Sequence, residues 1–165
     1  MQPLKLSKPL GRISAVLMTD TPPNFTGQGL KGRAKAGVVY EKKFHREMAA
    51  RHGTNYHSNL WFHYQLNGDW RWCQPDGVLI DHSTEPSTIT IFECKLKHTA
   101  QSYWQLKNLY LPVLKAAFST LFTFKLIEVC RDYDPATPYP ALAPVLRKID
   151  EPHPAELVGV FIWKL

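Results

Sequence analysis

The nine residues Thr-Ile-Thr-Ile-Phe-Glu-Cys-Lys-Leu, Thr88 to Leu96, constrain this chain more than any other stretch. Thr88 to Phe92 are all β-branched or aromatic, and such an unbroken run favours a strand covered on both faces. Glu93 and Lys95 then stand where the pattern calls for more aliphatic side chains. Side chains alternate along a strand, so Glu93 and Lys95 share one face. Cys94 points the other way, with Phe92 and Leu96. A carboxylate and an ammonium in such a place need a partner or a task, because an unpaired buried charge costs several kcal/mol.

The elements around this strand set its context. Gly37 to Gly53 (GVVYEKKFHREMAARHG) reads as a helix, with Val38, Phe44 and Met48 on an apolar stripe, Glu41 and His45 on a neighbouring face, and Gly53 as the stop. SNLWFHYQL, NGD and WRWCQ form a hairpin pattern with Asn67-Gly68 as its turn. DGVLID is a short strand, HSTEPS a turn, and HTAQSYWQLKNLYLPVLKAAF a second helix in which Pro112 predicts a kink or a split. FKLIEV and LVGVFIWKL are further strands, separated by the proline-rich loop DYDPATPYPALAP. The expected fold is α/β: a single domain with a central mixed β-sheet flanked by helices, in α-β-β-β-α-β order.

Charge is uneven along the chain. Of its 165 residues, 20 are Lys or Arg and 14 Asp or Glu, a net +6. Residues 1–60 hold ten basic residues against three acids, Asp20, Glu41 and Glu47, so the excess sits at the N-terminal end. Residues 1–36 read as a basic, Pro/Gly-rich arm, with Ile13 to Met18 as an added strand, and 37–165 as the folded domain. A basic end implies an anionic partner, nucleic acid first. Cys73, Cys94 and Cys130 are widely spaced and make no CxxC pair, which argues against a zinc ribbon or a disulfide framework. His52, His57, His63 and Cys73 fall at no zinc spacing. No leader-like apolar segment and no run approaching ~20 apolar residues is visible, so the expectation is a cytoplasmic protein away from membranes. The absence of GxxxxGK[ST] argues against an NTPase. Trp61, Trp70 and Trp72 are read as sheet packing rather than a base-stacking surface.

Asp76 opens the strand before Thr88–Leu96, immediately after Pro75. Two antiparallel neighbours joined by a turn would bring Asp76 beside Glu93. Two carboxylates so placed repel unless a cation neutralises them, and hard oxygen ligands suit Mg²⁺ or Mn²⁺. Lys95 would then orient a water or neutralise charge on a phosphodiester under attack.

Pro75-Asp76 followed by Glu93-Cys94-Lys95 resembles the signature of the PD-(D/E)XK nuclease superfamily, which includes restriction enzymes, recombination exonucleases and junction resolvases. The resemblance spans about Gly37 to Val129. A second triplet, Glu41-Lys42-Lys43, lies on a helix and is set aside as a motif. The family often adds an acid from the helix before the sheet, and Glu41 matches that role; His45, one turn on, is left outside the core set. The RecB-like and phage-exonuclease branch carries a Gln followed by a Tyr four positions later. Here Gln101 and Gln105 are present, but Tyr110 stands five after Gln105.

The resemblance implies a restriction-endonuclease-like core and a Mg²⁺- or Mn²⁺-dependent deoxyribonuclease of phage or mobile-element type, endonuclease ahead of exonuclease. It implies Asp76, Glu93, Lys95, Glu41 and Gln105 as catalytic residues. It implies Asp76, Glu93, Glu41 and the Cys94 backbone carbonyl as metal contacts. DNA is the expected partner, and the chain itself in a dimer or higher homo-oligomer. An inert nucleic-acid-binding domain of the same fold is the alternative.

Overall fold

The structure is a computed structural model, described here for residues 10–23, 33–118 and 120–165. Its centre is a six-stranded mixed sheet in the order β2-β5-β6-β7-β9-β8. These strands are β2 (Tyr56–His57), β5 (Gly77–Asp81), β6 (Thr88–Lys97), β7 (Thr123–Asp132), β8 (Val145–Leu146) and β9 (Val158–Ile162). β5 runs antiparallel to β6, whereas β6, β7 and β9 are mutually parallel. The chain is therefore α/β with a mixed central sheet, as its pattern predicts. Among the described residues no helix is long and apolar enough to cross a membrane.

Each face of this sheet is covered by a different layer. On one face lies α1 (Arg33–His52), whose Tyr40, Phe44 and Met48 meet Phe92, Cys94, Ile127 and Val129. On the other, Ile89, Ile91 and Leu126 pack beneath Leu106, Val113 and Leu114 of a helical segment running from Ala100 to Ala117. Alternation on β6 and β7 thus gives two cores, with Cys94 on the α1 side as the sequence predicts.

One sequence expectation needs correction. The hairpin, β3 (Trp61–Leu66) and β4 (Asp69–Cys73), does not join the central sheet. It pairs with β1 (Ile13–Thr19) in a separate three-stranded sheet, β1-β3-β4. Within the central sheet the chain order is α1, β2, β5, β6, helix and β7, with β2, which the pattern does not indicate, in the first strand place. The Asn67-Gly68 turn is as expected, with both residues at positive φ, 52° and 93°. The added strand expected over Ile13 to Met18 is present: β1 pairs with β3 over Ile13–Thr19, and Val16 packs on the core. Residues 1–9 and 24–32 of that arm lie outside the described residues, and 33–36 belong to α1.

The second helix is three pieces without a break. α2 (Ala100–Trp104) passes into a π-helical turn over Gln105–Tyr110 and then α3 (Leu111–Ala117). Pro112 explains the arrangement. Its ring would strike the carbonyl four residues back in a regular α-helix. The widened turn relieves this, with the Leu111 N–H donating to the Leu106 carbonyl five residues earlier. Proline here widens the helix instead of splitting it.

Candidate functional site

The parallel β6–helix–β7 crossover places the start of α2 at the carboxyl end of β6, where Glu93 and Lys95 lie. Open α/β sheets bind ligands at this end. Thr99 caps α2, its side chain accepting from the Gln101 N–H at 3.2 Å.

Asp76 reaches the same place from β5. The β5–β6 ladder pairs Gly77 with Phe92, so Asp76 falls opposite Glu93. The Asp76 carboxylate takes the next rung: its Oδ2 accepts the Cys94 N–H at 2.7 Å. Glu93 is only 1% exposed. Its Oε1 accepts from the Lys95 Nζ at 2.5 Å, while its Oε2 is buried and has no hydrogen-bond partner among the described residues. Tyr110, on the helix above, lies close enough to the Glu93 carboxylate to favour its charged form.

Electrostatics follow from this crowding. Burial raises Asp76 well above the usual carboxylate range, and the negative charges of Glu93 and Glu41 push it further. Burial raises Glu93 too; the charge and hydrogen bond of Lys95 only partly oppose it. Burial pulls the Lys95 ammonium down, but Glu93 outweighs that and the group ends above its ordinary value. The arrangement is a site with surplus negative charge and one unfilled carboxylate oxygen. The residues present therefore fit a hard divalent cation.

Glu41 stands at the edge of this group on α1. His45 bridges it to the sheet, with Nε2 at 3.1 Å from Glu41 Oε1 and Nδ1 at 2.8 Å from the Tyr56 hydroxyl. Tyr56 in turn presses against Gly77, where any Cβ would collide with its hydroxyl. The residue after Asp76 must therefore be glycine for β2 to sit this close. Tyr56 was not legible as a site neighbour, because β2 is two residues long and has no period.

Gln105 points inward, its Nε2 donating to the Tyr110 hydroxyl at 3.3 Å, and its Oε1 is buried without a partner among the described residues. The π turn brings residues five apart into this contact. Gln101, one turn earlier, is exposed, so the two glutamines lie in different surroundings. The Cys94 side chain lies in the α1-side core, and burial holds its thiol well above its usual value.

A second buried polar group was missed. Glu128 is the register partner of Glu93 on β7 and is fully buried. Its Oε1 accepts the Thr99 N–H at 3.1 Å, and its Oε2 accepts from His98 Nδ1 at 3.0 Å and the Tyr139 hydroxyl at 2.8 Å. His98, Glu128 and Cys130 have metal-ligand chemistry, with one candidate atom each within 4.8 Å of the others. However, both Glu128 oxygens are already occupied, and burial pushes the Cys130 thiol up to about 12. The geometry fits a structural clamp on the start of α2. Its signal was present in FKLIEV, a carboxylate inside a buried strand like Glu93, but without a companion motif.

Trp61, Trp70, Trp72 and His63 pack against one another, as the sheet-packing expectation has it, yet they do so on the outer face of the three-stranded sheet. His63 stacks on Trp72 at 4.2 Å and 5°, with Trp70 at 4.6 Å from His63. Comparison with family models finds no match, and searches of curated proteins and of solved structures return none either.

Proposed function

We propose that this chain is a divalent-metal-dependent nuclease acting on DNA phosphodiesters. One observation carries the reading: Asp76 and Glu93 are forced together at the carboxyl end of β6, with Lys95 beside them and Glu93 Oε2 unsatisfied. A structural ion pair needs one acid for one base. Here Glu41 and Asp76 add negative charge that Lys95 alone does not balance.

Asp76, Glu93 and Glu41 would hold Mg²⁺ or Mn²⁺, and the Cys94 carbonyl is the further proposed contact. Such an ion would supply Lewis acidity toward the phosphodiester and a lowered pKa for water. The chain's own groups do the rest. Lys95 carries a fixed positive charge to where negative charge grows on the phosphoryl oxygens. Its hydrogen bond to Glu93 keeps it there, and burial strengthens its effect by excluding water. Tyr110, hydrogen-bonded by Gln105, sits beside the Glu93 carboxylate on the helix side, and His45 holds Glu41 from α1. The Gln105–Tyr110 contact supports the RecB-like comparison, since the π turn compensates for the fifth-position tyrosine.

The cytoplasm as the site of action and a homodimer as the working form belong to the same proposal. The test is nicking of supercoiled plasmid by the purified chain. Cleavage should require Mg²⁺ or Mn²⁺ and stop in EDTA. Metal-independent binding without any cleavage would favour the inert DNA-binding reading.

A further inference from the structure

The two faces of the central sheet differ where β6 and β7 begin. Toward the helical segment, Ile89, Ile91, Phe124 and Leu126 fill the space and are at most 3% exposed. Toward α1, alternation puts Thr88, Thr90 and Lys125 in the matching positions. Polar side chains in the middle of a covered sheet need partners. α1 stops at His52, and beyond it Thr90 and Lys125 line a cavity of about 230 Å³. Met48, Phe92, Ile127 and Ile149 give this cavity an apolar lining, and Thr88 and Asp81 border it as well.

Lys125 is the unusual member. Among the described residues three lysines are partly buried, Lys95, Lys107 and Lys125. Lys95 bonds Glu93, and Lys107 bonds the Glu156 carbonyl. Lys125 has neither a hydrogen bond nor an ion pair among the described residues. Asp81 feels its charge without contact.

The hydroxyls sort into donor and acceptor. Thr84 Oγ1 donates to the Pro86 carbonyl at 3.0 Å, so the proton in its 3.0 Å contact with Thr88 Oγ1 comes from Thr88. Toward the cavity Thr88 therefore accepts. Thr90, 7% exposed and without a side-chain hydrogen bond among the described residues, can donate. Across the ladder Thr90 pairs with Lys125, and Thr88 with Asp81. Asp81 Oδ1 accepts from the Ser83 hydroxyl at 2.6 Å and N–H at 2.8 Å, which hold its carboxyl below the usual range and leave Oδ2 open. A donor row, Thr90–Lys125, thus lies beside an acceptor row, Asp81–Thr88, roughly 6.7 Å away along the strand.

Size and sign narrow the occupant. At ~30 Å³ per water the space holds about eight waters, the bulk of a leucine and far less than a nucleotide. Asp150 and Glu151 also line it, and with Asp81 they repel a polyanion. Rows of opposite character this close suit a ligand whose two charges sit on either side of one carbon.

We propose that this cavity binds a free aliphatic α-amino acid, its carboxylate on Lys125 and Thr90, its ammonium against Thr88 and Asp81, and its side chain on Phe92 and Ile127. The site lies toward the opposite end of β6 from Glu93 and stands independently of the nuclease reading.

The experiment is calorimetric titration of the whole chain with L-leucine in EDTA. Leucine should bind, and the melting point should rise as its concentration passes Kd. Isovalerate lacks the ammonium and isoamylamine the carboxylate, so each should bind at least ~10-fold more weakly. Lys125→Met should weaken leucine binding ~10–100-fold and Thr90→Val ~5-fold. Thr90→Val decides the matter if Lys125→Met fails to fold. Absence of leucine binding in the millimolar range, unchanged affinity in either variant, or isovalerate or phosphate binding as tightly as leucine would each overturn the site. Plasmid nicking with Mg²⁺ is scored separately on the same preparations, and Lys125→Met should nick at the parental rate. Leucine binding without nicking by any preparation keeps the site and removes the nuclease. Nicking without leucine binding does the reverse.

Discussion

Glu93 and Glu128 are neighbours in register on parallel strands, face the same helix and are equally buried, yet their surroundings are opposite. Glu128 has both oxygens filled by donors from two separate segments, His98–Thr99 and Tyr139. Glu93 has one oxygen on a lysine, one oxygen empty, and two further carboxylates within reach of its charge. Burial alone does not separate a structural acid from a working one. Satisfaction does: a completed network stabilises, whereas an incomplete one surrounded by like charge stores a preference for a ligand.

The sharpest test exchanges the two acids one at a time. Glu93→Gln should abolish metal-dependent cleavage, by at least ~10³-fold, while the fold survives. Glu128→Ala should do the reverse. It should lower stability by about 3 kcal/mol, the scale of a broken buried network, and leave residual activity in whatever fraction stays folded. Parallel plasmid-nicking assays and denaturant melts check both, and equal behaviour of the two variants would erase the distinction.

Lys95→Ala probes the working side alone. Cleavage should slow by ~10²–10³-fold with Mn²⁺ affinity, followed by calorimetry, little changed. A matching loss of metal affinity would make Lys95 only a prop for Glu93.

Asp76→Asn reads out the stored repulsion. A carboxyl raised by the fold favours its protonated form there, so its contribution to stability is present below the unfolded pKa and is lost as pH rises through the folded one. In EDTA the variant should therefore melt higher than the parent near pH 8, by ~2–4 °C, the shift that about 1 kcal/mol brings in a chain of this size. The gap should close near pH 4, below the raised pKa of Asp76. Mg²⁺ should raise the melting point of the parent and not of the variant. Thermal melts across pH decide it.

The smallest effect belongs to Cys94→Ser. With its side chain in the α1-side core, cleavage and metal choice should stay within about threefold, with a packing loss of about 1 kcal/mol. Zinc dependence that disappears with the sulfur would contradict the strand alternation seen here.

Much of the site was readable because Glu93 and Lys95 interrupt an apolar run, and a charge in such a run has few innocent explanations. The same logic applied to Glu128 in FKLIEV, but nothing nearby in sequence signalled the His98 and Tyr139 that complete it. Long strands such as Thr88–Lys97 announce themselves through composition. β2 and β8, at two residues each, form only because longer strands offer them an edge. The alternation of Phe62, Tyr64 and Leu66 told which face of β3 is buried, but not that it packs in a different sheet from Gly77–Asp81. That choice is made by tertiary contact with β1, not by local pattern.

The widened turn over Gln105–Tyr110 has a consequence for how the molecule breathes. It holds one residue more than a regular helix would need between those two side chains, and two of its buried polar atoms, Gln105 Oε1 and Asn108 Nδ2, go unmatched among the described residues. Cohesion along this helix is therefore lowest directly above Glu93, and highest in the sheet below. Amide protons of residues 105–111 should exchange with deuterium sooner than those of β6 and β7. Opening of the roof, with the floor fixed, is then the cheapest fluctuation that uncovers the carboxylates.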